Sequence, residues 1–237
     1  MVGARQERAQ PRPPTDAIAV TVDVCLFTIQ PNRVGDEALH VLLLRRDHSP
    51  FEGRWALPGD FVRSDEALSA AAARVLAEKT GLGPTYLEQL YTFGRPERDS
   101  RARVVSVAYY ALVTPEKAAM ADRLESVCWW PADDLPEPLG FDHLEILDYA
   151  LWRLRNKVSY AHIAFQLLPP AFTLAQLRAV YEVILGRRLD PTNFRRHVEA
   201  TGAIISTDER LAGGRHRPPR LYRCAVEPNS LYRGPIT

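Results

Sequence analysis

The chain has 237 residues, of which 46% are hydrophobic and 25% charged, and its formal net charge at pH 7 is +1. This composition is typical of a globular protein with one large or two modest domains, and the near-neutral charge offers no whole-chain argument for a nucleic-acid partner. Cys25, Cys128 and Cys224 lie too far apart for a zinc motif or a disulfide framework. There is neither a signal peptide nor an apolar run long enough to cross a bilayer, so we expect a soluble, cytoplasmic protein without a membrane partner.

The N-terminal part reads as a tail followed by a strand-rich domain. Residues 1–16 are rich in Arg, Gln and Pro without periodicity and predict a flexible tail. One helix is predicted at about 66–80, with Gly81 suited to its C-terminal cap. Aliphatic and β-branched runs flanked by polar residues predict strands at 20–27, 39–44, 103–113 and 127–130. This order of elements indicates an α+β fold.

A second amphipathic helix is predicted after Asp142, which could serve as its N-cap, and ends near residue 158. Its apolar face repeats every three or four residues and consists of Leu144, Leu147, Leu151, Leu154 and Val158.

The composition changes at residues 168–170, and the pattern beyond is helix, turn, helix and β-ribbon. The boundary signals are the capping box from Thr173 to Gln176, then Gly186, Asp190, Pro191 and Gly202. Two short strands, 204–205 and 221–224, flank a loop. We interpret this part as a winged helix-turn-helix domain.

The segment from Gly59 to Leu82 resembles the Nudix signature, in which a Gly-rich loop and a Glu precede Arg-Glu-hydrophobic-x-Glu-Glu-x-Gly-hydrophobic. Glu66, Arg74 and Glu78 match it, and the preceding residues 55–59 (WALPG) strengthen the match. The resemblance spans about residues 17–155 and implies a Nudix-type mixed sheet with flanking helices.

The departures from this signature concern the metal site. Nudix enzymes hold Mg²⁺ through carboxylates at three helix positions that share one face, and here these positions are Val75, Glu78 and Lys79. Only Glu78 can ligate, and Asp60 replaces the second Gly of the loop. We therefore expect no catalytic residues, no metal ligands, no required cofactor and no ordinary hydrolysis. Arg74 could pair with Glu78 as a structural ion pair.

A protein can keep a nucleotide-binding cleft after it has lost the catalytic residues of its fold. Arg45 and Arg46 end a predicted strand and suit phosphate oxygens. The arginines of residues 95–103 form either a diphosphate clamp beside aromatic rings or a solvated loop. Trp55 and Phe61 could either stack on a base or belong to the core. The candidate ligand residues are Arg45, Trp55, Phe61, Arg74, Glu78, Phe93, Arg101 and Arg103.

The region from 187 to 223 is distinctly basic, with nine arginines against four carboxylates. Phe194 and Val198 are expected to face inward, which leaves a polar outer face on the second helix of the motif. Arginine suits phosphate and guanine contacts, and the loop resembles a wing tip. The candidate DNA-binding residues are Thr192, Asn193, Arg195, Arg196, Arg215, His216, Arg217 and Arg220. The alternative is a winged helix used for protein contacts.

A degenerate Nudix domain followed by this winged helix resembles the Nudix-related transcriptional regulators of NAD metabolism, the NrtR family. The segments 172–182, 193–196 (NFRR) and 213–218 (GGRHRP) carry the resemblance. It implies a homodimeric repressor of NAD biosynthesis genes that binds palindromic operator DNA and senses an ADP-ribose-like effector. The predicted division is a tail (1–16), a Nudix-like sensing domain (17–158) and a winged helix-turn-helix domain (159–237). The competing hypotheses are a Nudix hydrolase of ADP-ribose with an accessory domain, and a protein-interaction scaffold.

Overall fold

A computed structural model describes residues 17–84, 86–121, 124, 126–211 and 218–226. Its N-terminal part is built on a seven-stranded mixed sheet of order β3-β2-β1-β6-β5, with β4 paired to β1 and β7 paired to β2. The strands are β1 (Ala19–Pro31), β2 (Glu37–Arg45), β3 (Trp55–Ala56), β4 (Gly59–Phe61), β5 (Tyr86–Phe93), β6 (Val104–Leu112) and β7 (Val127–Pro131).

Strand β1 lies at the centre of the sheet, parallel to β6 and antiparallel to β2 and β4. Its side chains alternate between two apolar clusters, with Cys25 and Phe27 on one face and Val24 and Leu26 on the other. Helix α1 (Leu68–Thr80) covers the second face, and α3 (His143–Val158) covers the first. A short helix, α2 (Pro115–Ala118), follows β6.

The strands predicted from apolar runs are confirmed as β1, β2, β6 and β7, and α1 begins two residues after the predicted start at Glu66. Helix α3 is also confirmed, with Asp142 at its N-cap as predicted, but without the side-chain hydrogen bond of a capping aspartate. The Asp142 carboxylate instead accepts two hydrogen bonds from Arg98, at 2.8 and 2.9 Å.

The C-terminal part contains α4 (Leu174–Leu185), α5 (Pro191–Ala200) and the antiparallel ribbon of β8 (Ile204–Arg210) and β9 (Arg220–Cys224). The capping box is confirmed, since the Gln176 backbone N–H donates to Thr173 Oγ1 at 3.2 Å and the Thr173 N–H donates to Gln176 Oε1 at 2.8 Å. Asp190 caps α5 by accepting from the Asn193 N–H at 2.8 Å. These elements form the predicted winged helix, while the wing tip at 212–217 lies outside the described residues.

The two parts share one apolar cluster, which runs from Phe27 in β1 through Leu154 in α3 to Tyr181 in α4. Helix α4 contacts both α3 and β2, so the winged helix rests directly on the sheet domain. Among the described residues, no helix combines the length and apolar character needed to cross a membrane.

Candidate ligand cleft and nucleic-acid interface

A cleft of about 260 Å³ opens between the sheet and the segments that precede β3 and α3. Its lining includes several cationic groups and few apolar ones. The lining includes the side chains of Asp23, Arg45, Arg46, Phe61, Lys79, Arg98, Arg101, Phe141 and His143.

The floor of the cleft is a buried network around Asp23. The Leu57 backbone N–H donates to His143 Nδ1 at 2.9 Å, so the imidazole proton is on Nε2, which lies 3.5 Å from Asp23 Oδ1. Arg98 Nη2 lies 3.3 Å from Asp23 Oδ2, and Ser106 Oγ donates to the same oxygen. Burial raises the pKa of Asp23, but His143, Ser106 and Arg98 outweigh it and hold the pKa below its usual value. Asp23 is therefore a buried, fully engaged carboxylate.

The rim carries two guanidinium groups beside one aromatic ring. Arg46 lies 4.8 Å and Arg101 5.8 Å from the centroid of the Phe141 ring. Burial and the positive charge of Arg101 lower the pKa of Arg46, as expected where two like charges converge. Phe141 has a φ of 53°, a conformation that costs a bulky residue about 1–3 kcal/mol and recurs at ligand sites. A ring next to two cations suits a base and an anionic group of one ligand.

The Nudix-box side chains of α1 are engaged with one another. Arg74 donates to Glu66 at 2.7 Å and to Glu78 at 3.0 Å, which confirms the predicted Arg74–Glu78 pair. The hydrogen bonds from Arg74 lower the pKa of Glu66 to about 2. Val75 is fully buried in the apolar cluster, and Lys79 Nζ lies 3.7 Å from Asp60 Oδ2.

Mg²⁺ does not fit this arrangement. A hard divalent cation needs several oxygen ligands, whereas the three metal positions of the box offer one carboxylate, one isopropyl group and one ammonium. That carboxylate, Glu78, is shared between Arg74 and Arg63.

The structure brings together only some of the predicted ligand residues. Arg45, Phe61 and Arg101 line the cleft. Arg74 and Glu78 form the ion pairs of α1 beside it. The ligand-binding roles of these five residues remain predictions. The other three lie elsewhere, with Trp55 against Trp130, Phe93 against Tyr149, and Arg103 hydrogen-bonded to the carbonyl oxygens of Arg95 and Val104.

The predicted arginine cluster is divided among different partners. Arg98 is buried in the floor of the cleft against Asp142 and Asp23, and Arg101 also lines the cleft. Arg95 pairs with Glu145 outside it. Sequence reasoning missed Asp23, Phe141 and His143. A charged residue inside the apolar run of β1 was the one available signal for Asp23.

On α5, the predicted division of faces is confirmed. Phe194 and Val198 are buried, and the Phe194 ring lies 5.4 Å from that of Tyr181 in α4. The predicted DNA-contacting side chains on this helix are all exposed, namely Thr192, Asn193, Arg195 and Arg196.

Two of these arginines are held by neighbours on the same helix. Arg195 Nε lies 2.9 Å from Glu199 Oε1, and Arg196 donates to Asn193 Oδ1 at 2.9 Å. Arg220 is exposed on β9, whereas the predicted contacts Arg215, His216 and Arg217 lie outside the described residues.

The chain combines a Nudix-like sheet domain that carries a nucleotide-type cleft with a winged helix that has a polar, arginine-bearing face. This combination defines a ligand-responsive class of DNA-binding protein. Family models agree on both parts, since the NUDIX domain matches residues 20–150 and the NrtR DNA-binding winged helix domain matches residues 164–224. The chain belongs to the NrtR family.

Similarity to known relatives extends over nearly the whole chain. The ADPR responsive transcriptional repressor NtrR of Acinetobacter baylyi is 37% identical over 214 residues, covering 88% of this chain and 82% of the relative. A crystal structure of Shewanella oneidensis NrtR complexed with a 27mer DNA is similar at 37% identity and a TM-score of 0.81, covering 91% of this chain and 98% of that one. An ADP-ribose pyrophosphatase of Methanocaldococcus jannaschii is 34% identical over 114 residues, covering 48% of this chain and 67% of the relative.

Proposed function

We propose that this protein is a transcriptional repressor that binds operator DNA through its winged helix and senses an ADP-ribose-like nucleotide in the cleft of its Nudix domain without hydrolysing it. The observation that carries the proposal is the presence of both modules in one chain, at 37% identity over 214 residues to a repressor named as ADPR-responsive. We extend the proposal to a homodimer on a palindromic operator upstream of NAD biosynthesis genes.

The cleft supports the sensing part of the proposal. Arg46 and Arg101 offer guanidinium groups to a diphosphate, and the exposed ring of Phe61 or the half-buried ring of Phe141 offers a surface for a base. The buried Asp23–His143–Arg98 network keeps the cleft floor rigid, because each polar group in it already has a partner.

The polar face of α5 supports the DNA-binding part. A recognition helix reads base edges from its N-terminal half, where Thr192, Asn193, Arg195 and Arg196 lie exposed. The ion pair between Arg195 and Glu199 is an exposed contact worth roughly 0–1 kcal/mol, so a phosphate or guanine can displace it.

The direct test is a fluorescence-anisotropy titration of labelled DNA from upstream of the gene, repeated with saturating ADP-ribose. We expect specific binding against a scrambled duplex and release by the nucleotide, with NAD and NMN as ligand controls. Equal affinity for both duplexes would overturn the repressor function. Ligand binding seen by calorimetry without any change in DNA affinity would overturn the sensing.

The second candidate is hydrolysis of ADP-ribose, which the likeness to an ADP-ribose pyrophosphatase and the retained Glu66, Arg74 and Glu78 favour. We expect no hydrolysis with Mg²⁺ or Mn²⁺, because Val75 and Lys79 supply no oxygen ligand. Product formation is measured by chromatography, and turnover on the order of 1 per second would establish an enzyme. The Val75→Glu, Lys79→Glu double variant tests whether metal binding returns.

A further inference from the structure

The outer face of α3 carries an exposed tryptophan next to two tyrosine rings. Trp152 is 55% exposed, and the neighbouring Tyr91 on β5 is 56% exposed. The Tyr149 ring lies between them, 5.2 Å from Tyr91 and 5.3 Å from Trp152, and a groove of about 420 Å³ runs beside it. Contiguous exposed aromatic rings mark interaction surfaces, since aromatic residues are enriched in interface cores.

Charge is arranged in order along the same face. Exposed Glu145 and Asp148 lie on the N-terminal side of Trp152, and exposed Arg155 lies on its C-terminal side. In part, this order follows the helix dipole, which favours acids near the N-terminus and bases near the C-terminus. The dipole does not explain why a tryptophan lies exposed between them, next to the half-buried Tyr149.

Such a face is complementary to itself. With a rise of about 1.5 Å per residue, Asp148 is about 6 Å and Arg155 about 4.5 Å from Trp152 along the helix axis. When two copies of α3 lie antiparallel about a two-fold axis next to Trp152, Asp148 of each copy therefore faces Arg155 of the other. A two-fold interface requires a patch of this kind, in which each contact occurs twice.

The neighbouring sheet edge is compatible with packing by side chains. Strand β5 is the edge strand of the sheet and pairs only with β6 among the described strands. Its register shifts between Gln89 and Tyr91, which interrupts the row of backbone groups that a further strand would need.

We propose that a second copy of this chain docks on this face, with α3 against α3 in antiparallel orientation and the Tyr91, Tyr149 and Trp152 rings in the centre of the interface. The inference rests on the homodimer of the proposed function and names its surface. It is independent of which nucleotide the cleft binds.

The test is the oligomeric state of the full chain by sedimentation velocity across a concentration series. We expect the wild type to be dimeric and Trp152→Glu to raise the dimer dissociation constant at least 100-fold. Met120→Glu is the matched control, because Met120 is 63% exposed on a different surface. Circular dichroism and a thermal melt check that each variant is folded.

A charge exchange gives a second measurement that spares the aromatic rings. Within the described ranges neither Asp148 nor Arg155 forms an ion pair of its own, so the single variants Asp148→Arg and Arg155→Asp break no ion pair inside the subunit. Each is expected to weaken the dimer on the order of tenfold, because like charges then face each other twice. The double variant is expected to restore it.

The outcomes separate the two claims. A wild type that remains monomeric at all concentrations overturns the homodimer and this interface together. A wild-type dimer that is unaffected by Trp152→Glu and by both charge variants overturns the interface alone, and the homodimer then uses another surface. If Trp152→Glu does not fold, the charge exchange decides the question.

Discussion

Gly59 lies in β4 directly against the buried carboxylate of Asp23. A β-carbon at this position would lie 2.0 Å from Asp23 Oδ1 and 3.0 Å from the Val22 carbonyl oxygen. We expect Gly59→Ala to destabilise the fold by roughly 1–3 kcal/mol, because the strand or the Asp23 network has to move. Nucleotide affinity should fall with it. Thermal denaturation and calorimetry measure the two effects.

Gly83→Ala is the matched control for this prediction, since a β-carbon there has nothing within 4 Å. It is expected to leave the melting temperature and the nucleotide affinity close to those of the wild type. Equal effects of the two substitutions would show that the close approach at Gly59 has no special role.

The arginine cluster of residues 95–103 contains side chains both inside and outside the cleft. Arg101 lines the cleft, held by Asp99 at 2.7 Å, whereas Arg103 points to backbone carbonyls outside it. Arg101→Ala should weaken ADP-ribose binding by about 10–150-fold, the effect of losing a hydrogen bond to a charged group of roughly 1.5–3 kcal/mol. Arg103→Ala should change it little. Calorimetric titration of both variants checks this, and the reverse order of effects would place the diphosphate outside the cleft.

Sequence spacing placed the residues of α1 well and those of the cleft poorly. Arg74 and Glu78 are four residues apart on one helix, so their pairing followed from helix geometry. His143 meets Leu57 across a sequence separation of 86 residues, and no local pattern contains that contact. Phe141 was equally invisible, because a positive φ at a bulky residue has no sequence signature.

Helix α5 is the element on which DNA recognition is expected to depend. Its inner face is fixed by Phe194 and Val198, so Arg195 and Arg196 are directed to solvent. We expect Arg195→Ala and Arg196→Ala to weaken operator binding by roughly 1–3 kcal/mol each where the side chain contacts a base. A variant that loses only a phosphate contact should instead lower the salt dependence of binding.

Arg33→Ala is the control for the removed charge, because Arg33 lies exposed in the turn between β1 and β2. Anisotropy titrations at several salt concentrations distinguish the two kinds of contact. If both α5 variants bind like the wild type, recognition lies elsewhere, with Arg220 on β9 as the next residue to replace.

Helix boundaries were predicted correctly where residues next to the boundary determine it. The capping box of α4 and the Asp190–Pro191 start of α5 are such cases, since the signal and the hydrogen bond involve the same few residues. Strand β5 was missed because it is an edge strand with a mixed, partly exposed surface and a shift of register, and so lacks a regular apolar alternation. Strands β3 and β4, of two and three residues, are too short for any periodicity.

In the whole molecule, two elements extend from the cleft to the winged helix. Strand β2 ends in Arg45 at the cleft and contacts α4, while α3 begins at His143 in the cleft and also contacts α4. Both elements share the apolar cluster that includes Tyr181. A rearrangement of the cleft can thus change the position of α4, and with it that of α5.

If the two sites are coupled in this way, the coupling has to be reciprocal. We expect ADP-ribose to weaken operator binding by about 5–150-fold, or roughly 1–3 kcal/mol, and operator DNA to weaken ADP-ribose binding by the same factor. Calorimetry with ADP-ribose, with and without saturating operator, measures the second factor, and a scrambled duplex serves as the control. Two factors that differ beyond error would mean that the ligand acts by some route other than a shared conformational equilibrium.

In the proposed function, Lys79 beside Asp60 stands in place of a metal-binding carboxylate and the nucleotide is not hydrolysed, and this determines what the occupancy of the cleft can report. An enzyme's occupancy depends on the rates of supply and turnover, because it consumes the molecule it holds. A cleft that leaves its nucleotide intact instead comes to equilibrium with the free pool, so its occupancy is a function of concentration and dissociation constant alone. A repressor of the proposed kind reads the standing level of the metabolite without consuming it, and it withholds only one molecule from the free pool for each occupied cleft.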